Sequence, residues 1–371
     1  MKALVLTHSY FDYGGSLLFG GLCNALHEEN VFDYPYKPSY HGFAHEFVDY
    51  AGNKHTIYPY LWIDWHSSQY PREVTTDRAA QLDIVRDNLR KGAFDVVVLE
   101  SLRSEAYGSF LLLKDDIDRS GVPVVLHDSS DIPDVFVDEF GTHYDPSQFN
   151  LVLKRELWKE RYAGPRIKIH GVPVVGFPLS CPTDLNRLGK LGVKGGPKYA
   201  QLDFSFIMRR NHQDRQDVRD ALRCFKEGFA HLCLIEADES ASGWHNFMYI
   251  TSDSTFGVNT RGFGLDTLRA WEIPVCTVLL SDKVGIHYEY PMIPDQHFKQ
   301  YNSPAECLEI VRHFWDPPTR LERKEELHEL YIRGRDFVLK YHTHTARARY
   351  LISLLEEYGL IGKDMEDTAN V

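Results

Sequence analysis

Residues 259–274 read NTRGFGLDTLRAWEIP, a stretch in which glycines precede a helix-forming pattern. Gly262 and Gly264 allow the backbone to approach a ligand closely. Asp266 or Thr267 can begin a helix, whose free N–H groups and positive dipole end favour an anion. The stretch therefore predicts a flexible loop that runs into a helix and binds phosphate.

Two arginines and a glutamate in the same stretch fit a diphosphate and its ribose. Arg261 and Arg269 add positive charge and forked donors suited to a diphosphate. Glu272 lies three positions after Arg269, so the two share a helix face, and a carboxylate there can accept two ribose hydroxyls. An ordinary capped helix with an Arg269–Glu272 surface pair is the alternative. Because the G-x-G spacing is neither a Walker loop nor the full dinucleotide fingerprint, the residues alone leave both interpretations open.

Upstream of this stretch, the chain alternates apolar runs with helical patterns. KALVLTH (2–8), FDVVVLES (94–101) and VPVVLHD (122–128) are continuous apolar runs. Helical spacing follows at residues 14–30 and at about Tyr107–Arg119. Continuous rather than alternating strands between helices indicate a parallel sheet that helices cover on both faces. The first half is therefore predicted to be an open α/β domain.

The pattern restarts after residues 169–199, which are rich in proline, glycine and lysine and lack clear periodicity. A strand at 202–208 and a helix at 212–228 open a second α/β domain, and the helical C-terminal region has a break around residues 341–344. Since open α/β sheets bind ligands at the carboxyl ends of their strands, we expect two Rossmann-like doubly wound domains facing a central cleft that holds the chemistry. The predicted ranges are 1–180 for the N-terminal domain, 181–200 for the linker and 201–371 for the C-terminal domain with its terminal helices.

The composition is that of a soluble globular protein of two domains. The chain has 371 residues, of which 25% are charged and 43% hydrophobic. It has neither an apolar run of about 20 residues nor an apolar leader, so a cytoplasmic protein is expected. The six cysteines are scattered without a C-x-x-C pair and are predicted to be buried reduced thiols. The formal net charge of −12 opposes non-specific binding to nucleic acid.

The string R-G-x-G-x-D-T-x-R-x-W-E followed by an apolar strand resembles the donor-sugar motif of exostosin-like glycosyltransferases and of bacterial glycosyltransferases of the spore-maturation type. The likeness continues through DFSFIMRRNHQDRQDVRDAL and SPAECLEIVRHF and covers about residues 200–360. These families have the GT-B fold, in which two Rossmann-like domains face a cleft and the second holds most of the nucleotide-sugar. The resemblance implies a glycosyltransferase that moves a sugar from a nucleotide-diphosphate-sugar, UDP- or GDP-linked, to a hydroxyl of a glycan, a cell-envelope polymer or a small metabolite.

The resemblance also implies roles for individual residues. Glu272 would bind the nucleotide ribose. The diphosphate would be surrounded by Arg261, Arg269 and the helix start at Asp266. Thr277 departs from the family, which has a glycine near that position, so the turn into the next strand is expected to differ in shape. Neither a metal nor another cofactor is expected, because helix dipoles and basic residues stabilise the leaving diphosphate in this fold.

The first strand–helix junction, THSYFDYGGS (7–16), carries an acidic residue next to two glycines. In a GT-B cleft this loop faces the donor. Asp12 is a candidate base for an acceptor hydroxyl, and Gly14 and Gly15 could leave room for the sugar. An ordinary turn with a capping Asp is the alternative.

A later strand end, LHDSSD (126–131), offers His127, Asp128 and Asp131 at the same carboxyl edge. An inverting transferase needs one carboxylate or imidazole near the acceptor, although Asp and Ser are also common caps and turn formers. Glu100 is a further strand-end acid. The sequence does not decide between Asp12, His127 and Asp128 as the catalytic base.

Several other residues bear on the ligands and on the alternatives to this transferase. Arg209 and Arg210 could reach the donor phosphates from the second domain, or form a solvated basic turn. The aromatics of WIDWHSSQY (62–70) could line an acceptor groove or pack at the domain surface. His342 and His344 do not share a helix face, which argues against a metal site there. A catalytically silent nucleotide-sugar-binding or scaffold protein of the same fold is one alternative function, and a DNA-base glycosyltransferase, which would need a basic groove, is another.

Overall fold

Contacts in the computed structural model divide the chain into two units. Unit 1 consists of Met1–Leu157, Arg161–Pro178 and His344–Val371, and unit 2 of Trp158–Glu160 and Leu179–Thr343. The residues that the structure describes are 1–10, 12–41, 45–48, 54–57, 77–182, 196–197, 200, 202–207, 212–228, 234–237, 239–262, 264–315 and 320–362.

Unit 1 is built on a seven-stranded sheet and also contains a separate two-stranded sheet. Its strands are β1 (Ala3–Leu6), β2 (Val31–Tyr34), β3 (His45–Val48), β4 (Lys54–Ile57), β5 (Val96–Leu99), β6 (Val124–Asp128), β7 (Leu151–Lys154), β8 (Arg166–Ile169) and β9 (Val172–Gly176). The large sheet has the order β2-β1-β5-β6-β7-β9-β8 and is parallel except for β8, while β3 and β4 pair antiparallel. Because the strand order reverses at β1, the switch point of the sheet lies between the carboxyl ends of β1 and β5.

Helices cover both faces of this sheet. Leu6 of β1 belongs to one core cluster together with Phe110. Val5, which points to the opposite face, belongs to a second cluster with Leu22. The predicted parallel sheet between two helical layers is therefore confirmed. The helices that precede β7 are α1 (Tyr13–Leu26), α2 (Arg78–Arg90) and α3 (Ser104–Ser120).

Unit 2 contains a five-stranded sheet that is parallel throughout. Its strands are β10 (Leu202–Ile207), β11 (Leu234–Ala237), β12 (Ser254–Asn259), β13 (Val278–Asp282) and β14 (Lys299–Tyr301). The order β11-β10-β12-β13-β14 places the switch point between the carboxyl ends of β10 and β12. The segment that follows β12 is the one whose sequence predicts a phosphate site.

The helices of unit 2 pack on this sheet at close distance. A Cβ on Gly257 in β12 would lie 2.5 Å from Cγ2 of Ile273, so glycine permits this approach of helix to strand. Cys224 is exposed, so the prediction that the cysteines are buried is wrong at that position, while the other described cysteines are buried. The helices are α4 (Gln213–Gly228), α5 (Glu239–Ser252), α6 (Arg269–Cys276), α7 (Pro304–Trp315) and α8 (Arg320–Tyr341).

The last helix, α9 (His344–Glu357), belongs to unit 1 and not to the C-terminal domain predicted for residues 201–371. Its Leu351 joins the same core cluster as Leu22 of α1. A Cβ on Gly21 would lie 2.1 Å from the carbonyl oxygen of His344, so α1 and α9 approach each other backbone to backbone. The predicted helix break is confirmed, because α8 ends at Tyr341.

Candidate active site

The segment 259–274 joins β12 to α6 at the carboxyl edge of the unit 2 sheet. The regular helix begins at Arg269, and no side chain bonds at the cap position, Leu268. The predicted helix start at Asp266 or Thr267 is therefore wrong by two to three residues.

Asp266 and Thr267 are buried and hold the loop instead. The Asp266 carboxylate accepts hydrogen bonds from the Leu179 N–H at 2.6 Å and from the Trp271 indole N–H at 2.8 Å. The Thr267 hydroxyl donates to the side-chain oxygen of Asn259 at 2.7 Å. The Asp266 carboxylate thus stabilises the fold of the loop. Sequence spacing alone predicts instead that Asp266 caps the helix.

Arg269 and Glu272 form a buried ion pair, in contrast to the surface pair considered above. Their side chains are 8% and 0% exposed. The Arg269 guanidinium also lies over the Phe247 ring, 3.6 Å from its centroid. Because the Glu272 carboxylate has no exposed surface, a ribose could reach it only if this pair opened. The ribose role of Glu272 and the diphosphate role of Arg269 stay predictions.

Two arginines converge on the loop directly after β12. The Arg261 side chain is 46% exposed and pairs with Asp214. Nε of Arg215 donates to the carbonyl oxygens of Thr260 at 3.3 Å and of Arg261 at 3.1 Å. A Cβ on Gly262 would lie 2.7 Å from Nη2 of Arg215, so the end of the Arg215 side chain lies close against Gly262. The sequence does not single out Arg215. The one signal that could have found it is its position in the first turn of a helix that follows a parallel strand.

The remaining bonds of the loop fix it to the neighbouring strand. The Gly262 N–H donates to the Gly264 carbonyl at 3.2 Å. The Arg261 N–H donates to the carboxylate of Asp282, the last residue of β13, at 2.8 Å. Burial raises the pKa of Asp282 to about 6, although the Arg261 N–H acts in the opposite direction. The exposed Arg261 side chain thus projects from a backbone that is held in place.

Thr277, where the resembled families have a glycine, adopts an extended backbone with φ −159° and ψ −168°. Any residue can adopt this conformation, so glycine is not required there. The Thr277 hydroxyl lies 2.6 Å from the carbonyl oxygen of Ser254 and 2.9 Å from that of Thr255 and bonds the helix end to the start of β12.

In unit 1, Asp12 is the N-cap of α1. One carboxylate oxygen accepts the Gly14 N–H at 2.8 Å and the Gly15 N–H at 3.4 Å. The other accepts the Ser129 hydroxyl, which reaches it from the end of β6. The capping interpretation of Asp12 is correct. The cap also ties the end of β1 to the end of β6, so Asp12 holds two strand ends together.

Gly14 and Gly15 leave room for protein side chains. A Cβ on Gly15 would lie 1.9 Å from Oε1 of Glu100, and a Cβ on Gly14 would lie 2.6 Å from Cβ of Ser129. The proposal that these glycines leave room for the sugar is therefore wrong, because the space is already filled.

Asp12 lies in a field of positive and hydrogen-bonding groups. Nε2 of His8 is 3.6 Å from its carboxylate, and neither ring nitrogen of His8 has a hydrogen-bond partner among the described residues. Burial raises the pKa of Asp12, but His8, Arg103 and the Ser129 hydroxyl together hold that pKa well below its ordinary value. The Asp12 carboxylate is consequently ionised throughout the neutral range.

His127 and Asp128, at the end of β6, differ in their surroundings. Burial lowers the pKa of His127, despite the nearby carboxylates of Asp12, Glu100 and Asp128, so its imidazole is neutral at pH 7. Asp128 pairs with the fully buried ammonium of Lys154 at 2.6 Å. The Lys154 ammonium therefore occupies this carboxylate and compensates its charge.

Glu100 is buried beneath Asp12, and it accepts hydrogen bonds from Lys37 at 3.1 Å and Tyr40 at 2.7 Å. His8 lies 3.7 Å from the same oxygen. Within the described part of the chain, His8, Asp12 and Glu100 are the group whose ligand-type atoms could surround a metal, all within 4.8 Å of one another. The Lys37 ammonium already places a positive charge on this cluster.

A cavity of about 300 Å³ opens at this edge of unit 1. It lies at the small end of the range of about 300–1,000 Å³ for ligand pockets. Its walls include polar groups from the ends of β1, β5 and β6, which is where an open α/β sheet binds its ligand. Asp12 and Asp128 line it together with Ser101, Arg103, Ser129 and Arg155, whereas His127 lies behind the wall.

Some predicted residues lie elsewhere. Arg209, Arg210 and the stretch 62–70 are outside the described residues. His342 is buried, packs against Trp271 with 4.6 Å between ring centroids and bonds the Tyr290 carbonyl at 2.8 Å. Nε2 of His344 lies 2.8 Å from Nδ2 of Asn24 in unit 1. The two histidines therefore belong to different units.

Comparison with known proteins bears on the fold. No family model matches the sequence, and neither does a curated protein. An alpha-glucosyltransferase in complex with UDP is similar in structure, with a TM-score of 0.53 at 11% identity over 96% of this chain and 100% of that chain. An alpha-glucosyltransferase in complex with UDP-glucose and DNA containing an abasic site gives 0.53 at 10% identity, over 96% and 99% of the two chains. Anabaena Alr3699/HepE in complex with UDP gives 0.49 at 9% identity, over 96% and 100%.

The chain has the GT-B fold. At these identities the likeness establishes the fold alone, in agreement with the two parallel sheets described above. Across the described residues of this GT-B chain, every helix is either too short or too polar to cross a bilayer.

Proposed function

We propose that the protein is a glycosyltransferase that moves a sugar from a nucleotide-diphosphate-sugar, UDP- or GDP-linked, to a hydroxyl acceptor. The cavity at the carboxyl edge of β1, β5 and β6, in a chain of the GT-B fold, is the observation that carries this proposal. Membership of the exostosin-like group is part of the proposal and rests on the motif at residues 261–272.

Unit 2 supplies the donor site in this proposal. Arg261 and Arg215 converge beside Gly262 at the switch point of the sheet, where a diphosphate would find two guanidinium groups. The Arg261 side chain is 46% exposed, so it can turn from Asp214 to a phosphate. Positive groups there would stabilise the charge that develops on the departing diphosphate.

Unit 1 supplies the acceptor site. Asp12 is the candidate carboxylate that lines the cavity and is not neutralised by a lysine among the described residues. We assign it as the group that accepts the hydrogen bond of the acceptor hydroxyl and then its proton, while the hydroxyl oxygen bonds the anomeric carbon and the bond to the diphosphate breaks. Ser129 fixes the orientation of the carboxylate.

A second candidate function, glucosylation of a DNA base, is favoured by one observation. One of the similar structures holds DNA. The net charge of −12 and the acidic wall of the cavity oppose a phosphate backbone. A DNA duplex should accordingly show no binding in a mobility-shift assay at low salt, and tight binding would favour this candidate over a glycan or metabolite acceptor.

The donor site is tested by calorimetric titration of UDP, GDP, CDP and TDP into wild type and into Arg261→Ala. Arg333→Ala is the matched control, because its side chain is 47% exposed against 46% for Arg261 and also lies in unit 2. We expect one nucleotide to bind wild type and Arg333→Ala alike and to bind Arg261→Ala about tenfold more weakly. Absence of binding by all four would overturn the proposal.

A further inference from the structure

The wall of the unit 1 cavity is acidic. Every basic side chain in it already faces a carboxylate: Nε of Arg103 bonds Glu139 at 3.3 Å, and Arg155 bonds Asp131 at 2.5 Å. Neither guanidinium therefore offers an uncompensated charge to a phosphate. The acidic residues of the wall are Asp12, Asp128, Asp131, Asp138 and Glu139, against two arginines.

Two carboxylates of the wall are left without a lysine or arginine partner among the described residues. Asp128 is neutralised by Lys154, whereas Asp12 has the ring of His8 within ion-pair distance and is attracted from farther away by Arg103, which itself pairs with Glu139. Asp138 forms no ion pair with any described residue; its carboxylate accepts hydrogen bonds instead. The cavity thus presents net negative charge to a ligand.

Asp138 keeps its charge because neutral donors surround it. One oxygen accepts the N–H groups of Phe140 at 2.9 Å and Thr142 at 2.8 Å, and the other accepts the Tyr144 hydroxyl at 2.8 Å. Burial raises the pKa of Asp138, but these donors outweigh burial and lower it. The carboxylate is ionised at neutral pH and can attract a cation into the cavity.

We propose that the acceptor is a hydroxylated ring carrying a protonated amine, such as an amino sugar or an aminocyclitol, and that the unpaired carboxylates of the cavity select for the amine. This inference rests on the proposed transferase function. Ser101 and Ser130 also line the cavity and can bond ring hydroxyls, while Leu102 and Ile132 offer apolar surface to a ring face. Phosphorylated acceptors are disfavoured by the same charges.

The test titrates three amines, glucosamine, galactosamine and mannosamine, into the full chain, together with their N-acetyl forms and with glucose 6-phosphate, followed by ligand-observed NMR and calorimetry at low salt. Asp138→Asn removes the charge and keeps an oxygen for the two N–H groups. Asp145→Asn is the matched control: its carboxylate also accepts the N–H two residues on, Ser147 at 2.9 Å, but it does not line the cavity.

We expect at least one amine to bind wild type about fivefold more tightly than its N-acetyl form, which corresponds to ~1 kcal/mol, with glucose 6-phosphate weaker still. In Asp138→Asn the ratio should fall toward one, and in Asp145→Asn it should not change. Equal binding of acetylated and free amines, preference for the phosphate, no binding of any amine, or an unchanged ratio in Asp138→Asn would each overturn the inference.

These outcomes are separable from failure of the transferase proposal. Donor turnover with a neutral acceptor, combined with no preference for amines, would overturn the amine and leave the transferase intact. Amine binding without binding of any nucleotide would support the charge selection of the cavity and overturn the transferase.

Discussion

Replacing Asp12 by Asn separates its charge from its role as a helix cap. Asn is as good an N-cap as Asp, so the bond from the Gly14 N–H is retained. The variant loses the attraction of the carboxylate to His8 and Arg103 and turns a charge-assisted bond from Ser129 into a neutral one. Since charged hydrogen bonds contribute about 1 kcal/mol more than neutral ones, we expect unfolding to cost about 1 kcal/mol less.

The effect of Asp12→Asn on turnover should be far larger than its effect on stability. If Asp12 accepts the proton of the acceptor hydroxyl, kcat should fall by about 10²–10⁴-fold while the affinity for the nucleotide is unchanged. Asp77→Asn is the control, because Asp77 is the N-cap of α2 and does not line the cavity. Its carboxylate accepts the Ala79 N–H at a distance of 2.9 Å. Steady-state release of nucleoside diphosphate measures kcat, and retention of wild-type kcat within about threefold, well short of that range, would refute the assignment.

The same variant has a pH signature. The folded-state pKa of Asp12 lies below the reference value of 3.8, so its stabilisation is fully present above that value and is lost as the pH falls through the folded-state pKa. The stability difference between wild type and Asp12→Asn in urea should therefore be constant near pH 7 and shrink on acidification below about pH 4.

Four further substitutions test the packing and charges of both units. Gly15→Ala should lower the free energy of unfolding by about 1–3 kcal/mol, because the added Cβ would clash with Glu100. Gly108→Ala, in open space on α3, should raise it by up to about 1 kcal/mol, and thermal unfolding distinguishes the two variants. Glu272→Ala leaves Arg269 buried without its carboxylate and should cost about 3–5 kcal/mol in urea unfolding, and a cost below about 1 kcal/mol would contradict the buried pair. Because burial raises the pKa of Asp282 to about 6, this group stabilises the folded state below its unfolded-state pKa, and the stabilisation is lost as the pH rises through 6. Asp282→Asn should therefore be more stable than wild type by up to about 3 kcal/mol at pH 7 and by little at pH 4. A difference in urea midpoint that does not change with pH would disprove this.

The sheets could be predicted from the sequence because their signal is local. Continuous apolar strands such as FDVVVLES predict burial on both faces, and Val96–Leu99 is indeed buried on both. The helix His344–Glu357 could also be predicted from the sequence. Its predicted place in the second domain is wrong, because its packing partner α1 lies more than 300 residues earlier in the chain. Helical periodicity identifies a buried face and not the surface that covers it.

The errors at the site have the same physical origin. Asp266 has the spacing of a helix cap, yet its partners include the Leu179 N–H, 87 residues away. Gly15 has the spacing of a ligand loop, yet the space that it leaves is filled by Glu100 from another strand. Asp12, by contrast, could be predicted both as a cap and as a strand-end carboxylate, since both follow from its place in the loop between a parallel strand and the helix that begins at Tyr13.

Sugar transfer itself is measured by turnover of a panel of UDP- and GDP-linked sugars by the full chain, with an amino sugar as acceptor, followed by mass spectrometry of both products. We expect release of the nucleoside diphosphate from one donor together with an acceptor heavier by one sugar residue, and loss of both products in Asp12→Asn and in Arg261→Ala. Intact donors across the panel, with no nucleotide bound, would contradict it and leave a GT-B fold without transferase activity.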